Sequence, residues 1–154
     1  MAVRRCLICE RSGIWATALR ALWPPNGPRI VETRSWSDLL QALVEAPESL
    51  VCLEATEATP DEVVRRLALL HRDFPDARAI VLAIAPAVEC ETLWRECGAI
   101  EVASSPRDLT AATRLAARHC WRGTEREQTL RDELWRRIPW ADAAATATAN
   151  HHST

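Results

Sequence analysis

The chain has 154 residues, 48% of them hydrophobic, and a formal net charge of -2. That length suits one domain with a short extension and enough apolar residues for a core. The near-neutral balance gives no basic surface for DNA or RNA, and no apolar run reaches the length of a membrane span.

The pattern alternates strand and helix five times. Cys6 to Cys9 is a short apolar run. Ser12 is placed to cap a helix whose stripe is Trp15, Ala18, Leu19, Leu22 and Trp23, and Pro24-Pro25-Asn26-Gly27-Pro28 stops it. Arg29 to Thr33 reads as a strand, and Ser37 as the cap of a helix carrying Leu39, Leu40, Leu43 and Val44. Leu50 to Leu53 is a third strand. Thr59-Pro60-Asp61-Glu62 has a cap, a first-turn proline and a capping-box glutamate, opening a helix with Val63, Leu67, Leu70 and Phe74 on one face. Ala79 to Ala85 is a fourth strand without charge. Cys90, Leu93, Trp94 and Cys97 stripe a fourth helix closed by Gly98. Ile100 to Ala103 is the fifth strand, and Pro106 opens a helix to about Trp121.

Short uncharged strands between amphipathic helices predict a parallel sheet covered on both faces, with right-handed crossovers making it doubly wound. We therefore expect an α/β three-layer domain over 1–121, a helical extension over 122–140 and a disordered tail over 141–154. Thr124-x-x-Glu127 starts the extension, and Pro139 ends it.

Several chemistries lack their parts. All 19 basic residues are arginine, so no lysine can form a Schiff base or bind phosphate; tyrosine is also absent. Cys6-Leu7-Ile8-Cys9 has the spacing of a redox pair, yet period two sends the two thiols to opposite faces of a strand. No second cysteine–histidine pair stands at zinc-ligand spacing. Gly-x-Gly-x-x-Gly and Gly-x-Ser-x-Gly do not occur. His71 and His119 fall on helices with no nucleophile beside them in sequence. A signal-peptide apolar stretch is not seen at the N-terminus, so the expected location is cytoplasmic.

Two stretches carry a resemblance to the receiver domain of two-component response regulators, over about residues 3 to 121. One is Leu7-Ile8-Cys9-Glu10-Arg11-Ser12, where that family has an apolar strand ending in two acids. The other is Cys97-Gly98-Ala99-Ile100-Glu101-Val102-Ala103-Ser104-Ser105-Pro106, similar to the family's alanine-glycine-alanine, strand and lysine-proline ending. The resemblance implies a flavodoxin-like five-stranded parallel sheet of order 2-1-3-4-5. In that family the acids hold Mg2+, an aspartate after the third strand takes a phosphoryl group, and a hydroxyl and a lysine read it. Carried over by position, Glu10 matches the first acid and Arg11 replaces the second. Glu54 stands at the acceptor, Ile84 at the hydroxyl and Ser105 at the lysine. The resemblance thus implies a degenerate phosphoacceptor pocket, with no Mg2+, no cofactor and no catalysis. Glu54 can be read as a built-in mimic of phosphoaspartate or as a partner of Arg11. The second is favoured, because the groups that would read a mimic are missing. Arg11 is then expected to turn its guanidinium toward Glu10 or Glu54.

The expected role is a signalling module that works by protein–protein contact. A small-molecule or effector-binding regulator using the crevice at the strand ends is the alternative. In the extension, Leu130, Leu134 and Ile138 form an apolar stripe, with Trp135 and Trp140 beside it. Five helices already cover both sheet faces, so this stripe can lie across an existing helix pair or meet a second copy; the second is expected, giving a homodimer with Trp135 and Trp140 between subunits.

Overall fold

The computed structural model describes residues 4–56, 59–84 and 87–121. Five parallel strands form one sheet: β1 (Cys6–Cys9), β2 (Ile30–Thr33), β3 (Leu50–Ala55), β4 (Arg78–Ala83) and β5 (Ala99–Ala103), in the order β2-β1-β3-β4-β5. Helices α1 (Ile14–Leu22), α2 (Trp36–Glu45), α3 (Pro60–Asp73) and α4 (Glu91–Glu96) follow the first four strands. A 3-10 turn, Ala87–Cys90, leads into α4. Helix α5 covers 110–121. This is the expected architecture, strand for strand.

Alternation along the strands divides the core. Leu7, Cys9, Val51, Leu53 and Val81 face α2, α3 and α4, whereas Cys6, Ile8, Cys52, Ile80 and Leu82 face α1 and α5. Cys6 and Cys9 accordingly lie in different layers, and all six cysteines are free thiols. Trp15 fills one layer and Trp94 the other, both fully buried. An irregularity between Ala79 and Ile80 shifts the register so that Ile80 pairs with Glu101. No helix among the described residues is long and apolar enough to cross a membrane.

The local caps differ from those expected. Ser35, not Ser37, caps α2, its hydroxyl accepting the Asp38 amide at 3.1 Å; the helix starts two residues earlier, and Trp36 in its first turn packs against the core. Thr59 makes no side-chain cap on α3. Its hydroxyl instead accepts the Thr56 amide at 3.2 Å, while Glu62 pairs with Arg66 and forms no capping box. At α1 the cap position falls on Gly13, at φ 82°, a left-handed conformation that favours glycine.

Candidate functional site

In a doubly wound sheet, ligands sit outside the carboxyl ends of the strands, where neighbouring crossovers diverge. Here β1 lies between β2 and β3, and its crossover leaves on the opposite face from theirs. A crevice of about 470 Å3 opens at this point. The loop after β1 contributes Glu10 and Arg11, β3 contributes Glu54, and the loop after β2 contributes Arg34.

Glu10 follows β1 directly and is only 2% exposed. Its carboxylate reaches back over the turn to the start of α1. Oε1 accepts the Ala16 amide at 2.7 Å and Oε2 the Trp15 amide at 3.0 Å. These amides have no partner inside the helix, and the helix N-terminus favours a negative charge. The capping role expected of Ser12 therefore belongs to Glu10, which has the reach to take two amides at once; Ser12 accepts only the Ile14 amide, at 3.3 Å.

Arg11 is exposed, and it meets Glu54 through its backbone: the Arg11 amide donates to Glu54 Oε2 at 2.8 Å. The expected guanidinium pairing is not what the structure contains, because among the described residues Arg11 makes no salt bridge. The bend after β1 brings the Arg11 backbone amide to the Glu54 carboxylate. Ile84 and Ser105 stand apart from this group. Ile84 follows β4 and is 51% exposed. Ser105 follows β5, and its hydroxyl accepts the Arg107 amide at 3.2 Å, shaping the turn ahead of α5. Neither is among the described residues lining the crevice. Leu130, Leu134, Trp135, Ile138 and Trp140 lie outside the described residues.

The far wall is built by residues the sequence reading did not assign to a site: Arg34, Trp36, Thr56, Thr59, Glu62 and Arg66, of which Thr59 and Glu62 were read only as a helix start. Arg66 pairs with Glu62 one helical turn away and lies over the Trp36 ring, 5.3 Å from its centroid. Arg34 donates to the Glu10 carbonyl at 3.3 Å and to Glu32 at 3.0 Å. Their positions follow from strand order: Arg34 directly follows β2 and Thr56 follows β3, the two neighbours of β1. Strand order, combined with the strand ends, was the available signal.

The chemistry open to this crevice is narrow. Each of its three carboxylates is engaged, Glu10 by α1 amides, Glu54 by the Arg11 amide and Glu62 by Arg66. The donor set does not suit the Mg2+ that receiver domains hold: both oxygens of Glu10 are turned to α1, and an arginine follows it. Among the described residues no group of three or more histidine, cysteine or acidic side chains could hold a metal. Cys9 lines the crevice, but burial raises its thiol above the usual range, partly offset by a hydrogen bond with Thr33, which disfavours the thiolate.

The strand order and the helices on both faces define a receiver-like doubly wound fold. No family model and no curated relative matches the chain. Among solved structures it is similar to a response regulator from Thermotoga maritima, with 14% identity and a TM-score of 0.64 over 77% of this chain and 98% of that one. A candidate pilus assembly-related protein from Burkholderia pseudomallei aligns at 17% identity and TM-score 0.57, over 77% and 92% of the two chains. A candidate pilus assembly protein from Burkholderia thailandensis aligns at 17% identity and TM-score 0.54, over 75% and 98%. At these identities the likeness is one of fold.

Proposed function

We infer that this chain is a pseudo-receiver: a non-catalytic signalling module that works by protein–protein contact without phosphoryl transfer. The observation that supports this most is the state of Glu10. A receiver acid must present its oxygens to a cation, and here both accept amides of α1. Glu54, at the acceptor position, accepts the Arg11 amide. Ile84 offers no hydroxyl, and Ser105 offers no cation. The reading includes a cytoplasmic signalling partner and a homodimer with Trp135 and Trp140 between subunits. It is tested by incubating the full chain with acetyl phosphate and millimolar Mg2+ and weighing it by mass spectrometry. The expected mass is unchanged. One added phosphoryl group per chain, lost in Glu54→Ala, overturns the reading. Light scattering of the full chain and of Trp135→Ala tests the dimer.

A second reading, an effector-binding regulator, draws on the crevice itself: about 470 Å3, with Arg11, Arg34 and Arg66 on its walls. A rise in melting temperature with small anionic metabolites, lost in Arg34→Ala, would favour it over the scaffold.

A further inference from the structure

On the α1–α5 side of the molecule, away from the polar crevice, lies an apolar groove of about 480 Å3. Its described walls are Leu22 and Pro24 from the end of α1, and Thr110, Thr113, Arg114, Ala117, Arg118 and Trp121 from α5. The α5 residues are spaced by three and four, so they form one stripe along the whole helix. Two large side chains here are open, Leu22 at 47% and Trp121 at 36%. The Thr113 hydroxyl is buried, with its residue 4% exposed, and has no hydrogen-bond partner. A helix face with open apolar side chains along a groove of this size is shaped for an apolar occupant.

The geometry points to the chain's own segment 124–138 as that occupant, packed antiparallel to α5. Trp121 lines the groove and is the last described residue, so the segment begins at its edge. Only Arg122 and Gly123 separate it from Thr124, and a connection this short joins antiparallel neighbouring helices. Both helices rise equally per residue, so residues whose numbers sum to about 245 stand level. Leu130 then falls between the Thr113–Arg114 and Ala117–Arg118 pairs, and Leu134 falls between Thr110 and Thr113. The apolar stripe thus enters the gaps of the α5 stripe, as ridges enter grooves. Glu127 comes level with Arg118, placing an acid beside a rim cation. The sheet itself offers a sixth helix no vacant place, which is why a second copy was favoured over packing across an existing helix pair; the groove between the end of α1 and α5 supplies a place within one chain. Trp135 and Trp140 remain available to a dimer, so this placement does not depend on the signalling role or on the oligomeric state.

The test uses the full chain. Arg118→Cys with Glu127→Cys is treated with a short bis-maleimide, each single variant serving as control for the native thiols. The expected product is an intrachain link at monomer mass. Limited trypsin digestion at Arg131 and Arg136 should be about tenfold or more faster in Leu134→Glu than in the natural chain, since burial of that residue is lost. Leu134 lies outside the described domain, so a single cooperative urea transition retained in Leu134→Glu shows that the core around Trp15 and Trp94 is intact. A link at twice the monomer mass means that a second copy fills the groove and overturns the proposal. Equal digestion of the natural chain and Leu134→Glu overturns it as well.

Discussion

The polar crevice and the apolar groove lie on opposite crossovers of one sheet and differ in how completely they satisfy themselves. In the crevice each carboxylate already has a partner: α1 amides for Glu10, a backbone amide for Glu54, Arg66 for Glu62. The groove leaves Leu22 and Trp121 open and the Thr113 hydroxyl without a partner. A site poised for chemistry keeps donors or acceptors free for its ligand. By that measure the carboxylates of the crevice are turned inward to hold loops together, while the Arg11 side chain is exposed. The groove is the surface with interactions left to make.

The largest expected effect tests whether Glu10 is structural. Glu10→Ala removes a buried acceptor of two helix-terminal amides and should cost about 2–4 kcal/mol, read from urea denaturation. Glu10→Gln keeps an acceptor but not the charge and should cost about 1–2 kcal/mol. If Glu10→Gln is neutral and instead abolishes binding of some ligand, the crevice is functional and the contrast with the groove fails. Next in size is Gly13→Ala. Gly13 holds φ 82°, and an added Cβ would meet the Arg34 guanidinium at 3.4 Å. The left-handed conformation costs roughly 1–2 kcal/mol in an L-residue, so the same denaturation series should show a loss of that order.

The two regions were not equally legible in the sequence. The strands and the two-layer core follow from period two in Leu7 and Cys9 against Cys6 and Ile8, and the structure places each as expected. Trp15 and Trp94 were readable from the 3.6-residue period of their helical stripes. Caps were less legible. Ser35 and Ser37 are both plausible from composition, and only packing of Trp36 decides between them. The role of Glu10 could not be read from its neighbours in sequence. A carboxylate at the end of a strand faces either a cation or the next helix, and the left-handed turn at Gly13 selects the second. Arg34 and Arg66 were missed because they reach the crevice only once β2 and β3 flank β1. The groove was invisible because it depends on where Pro24 leaves α1 relative to α5, a tertiary distance with no local signature.

A smaller effect is expected at Glu54. Its one described hydrogen bond is to the Arg11 amide at 2.8 Å, and the residue is only half-buried. Glu54→Ala should therefore cost about 0.5–1.5 kcal/mol. Arg11→Ala should cost less still, because the Arg11 contribution comes from the backbone, which the substitution leaves in place. The reverse order, with Arg11→Ala the more damaging, would show that the guanidinium and not the amide secures this corner.

The smallest effect concerns the wall of the groove rather than the crevice, and it depends on pH. His119, on α5, has its Nε2 2.8 Å from the Glu48 carbonyl, and Arg4 donates to the His119 carbonyl at 3.1 Å. These contacts tie the end of α5 to the loop before β3. Burial holds the His119 pKa below its ordinary value, with the nearby charges of Arg4 and Arg78 acting in the same direction and the Glu48 contact opposing them. A histidine with a depressed folded pKa takes up its proton more readily in the unfolded chain. Stability is then fully present above the unfolded pKa of about 6.5 and falls as pH drops from there toward the folded value. The natural chain should unfold at lower urea concentration at pH 5 than at pH 7, and His119→Gln, which keeps a donor but does not titrate, should flatten part of that slope. If instead the slope survives His119→Gln undiminished, the acid sensitivity lies elsewhere, and α5 is not held at this end by a titrating contact.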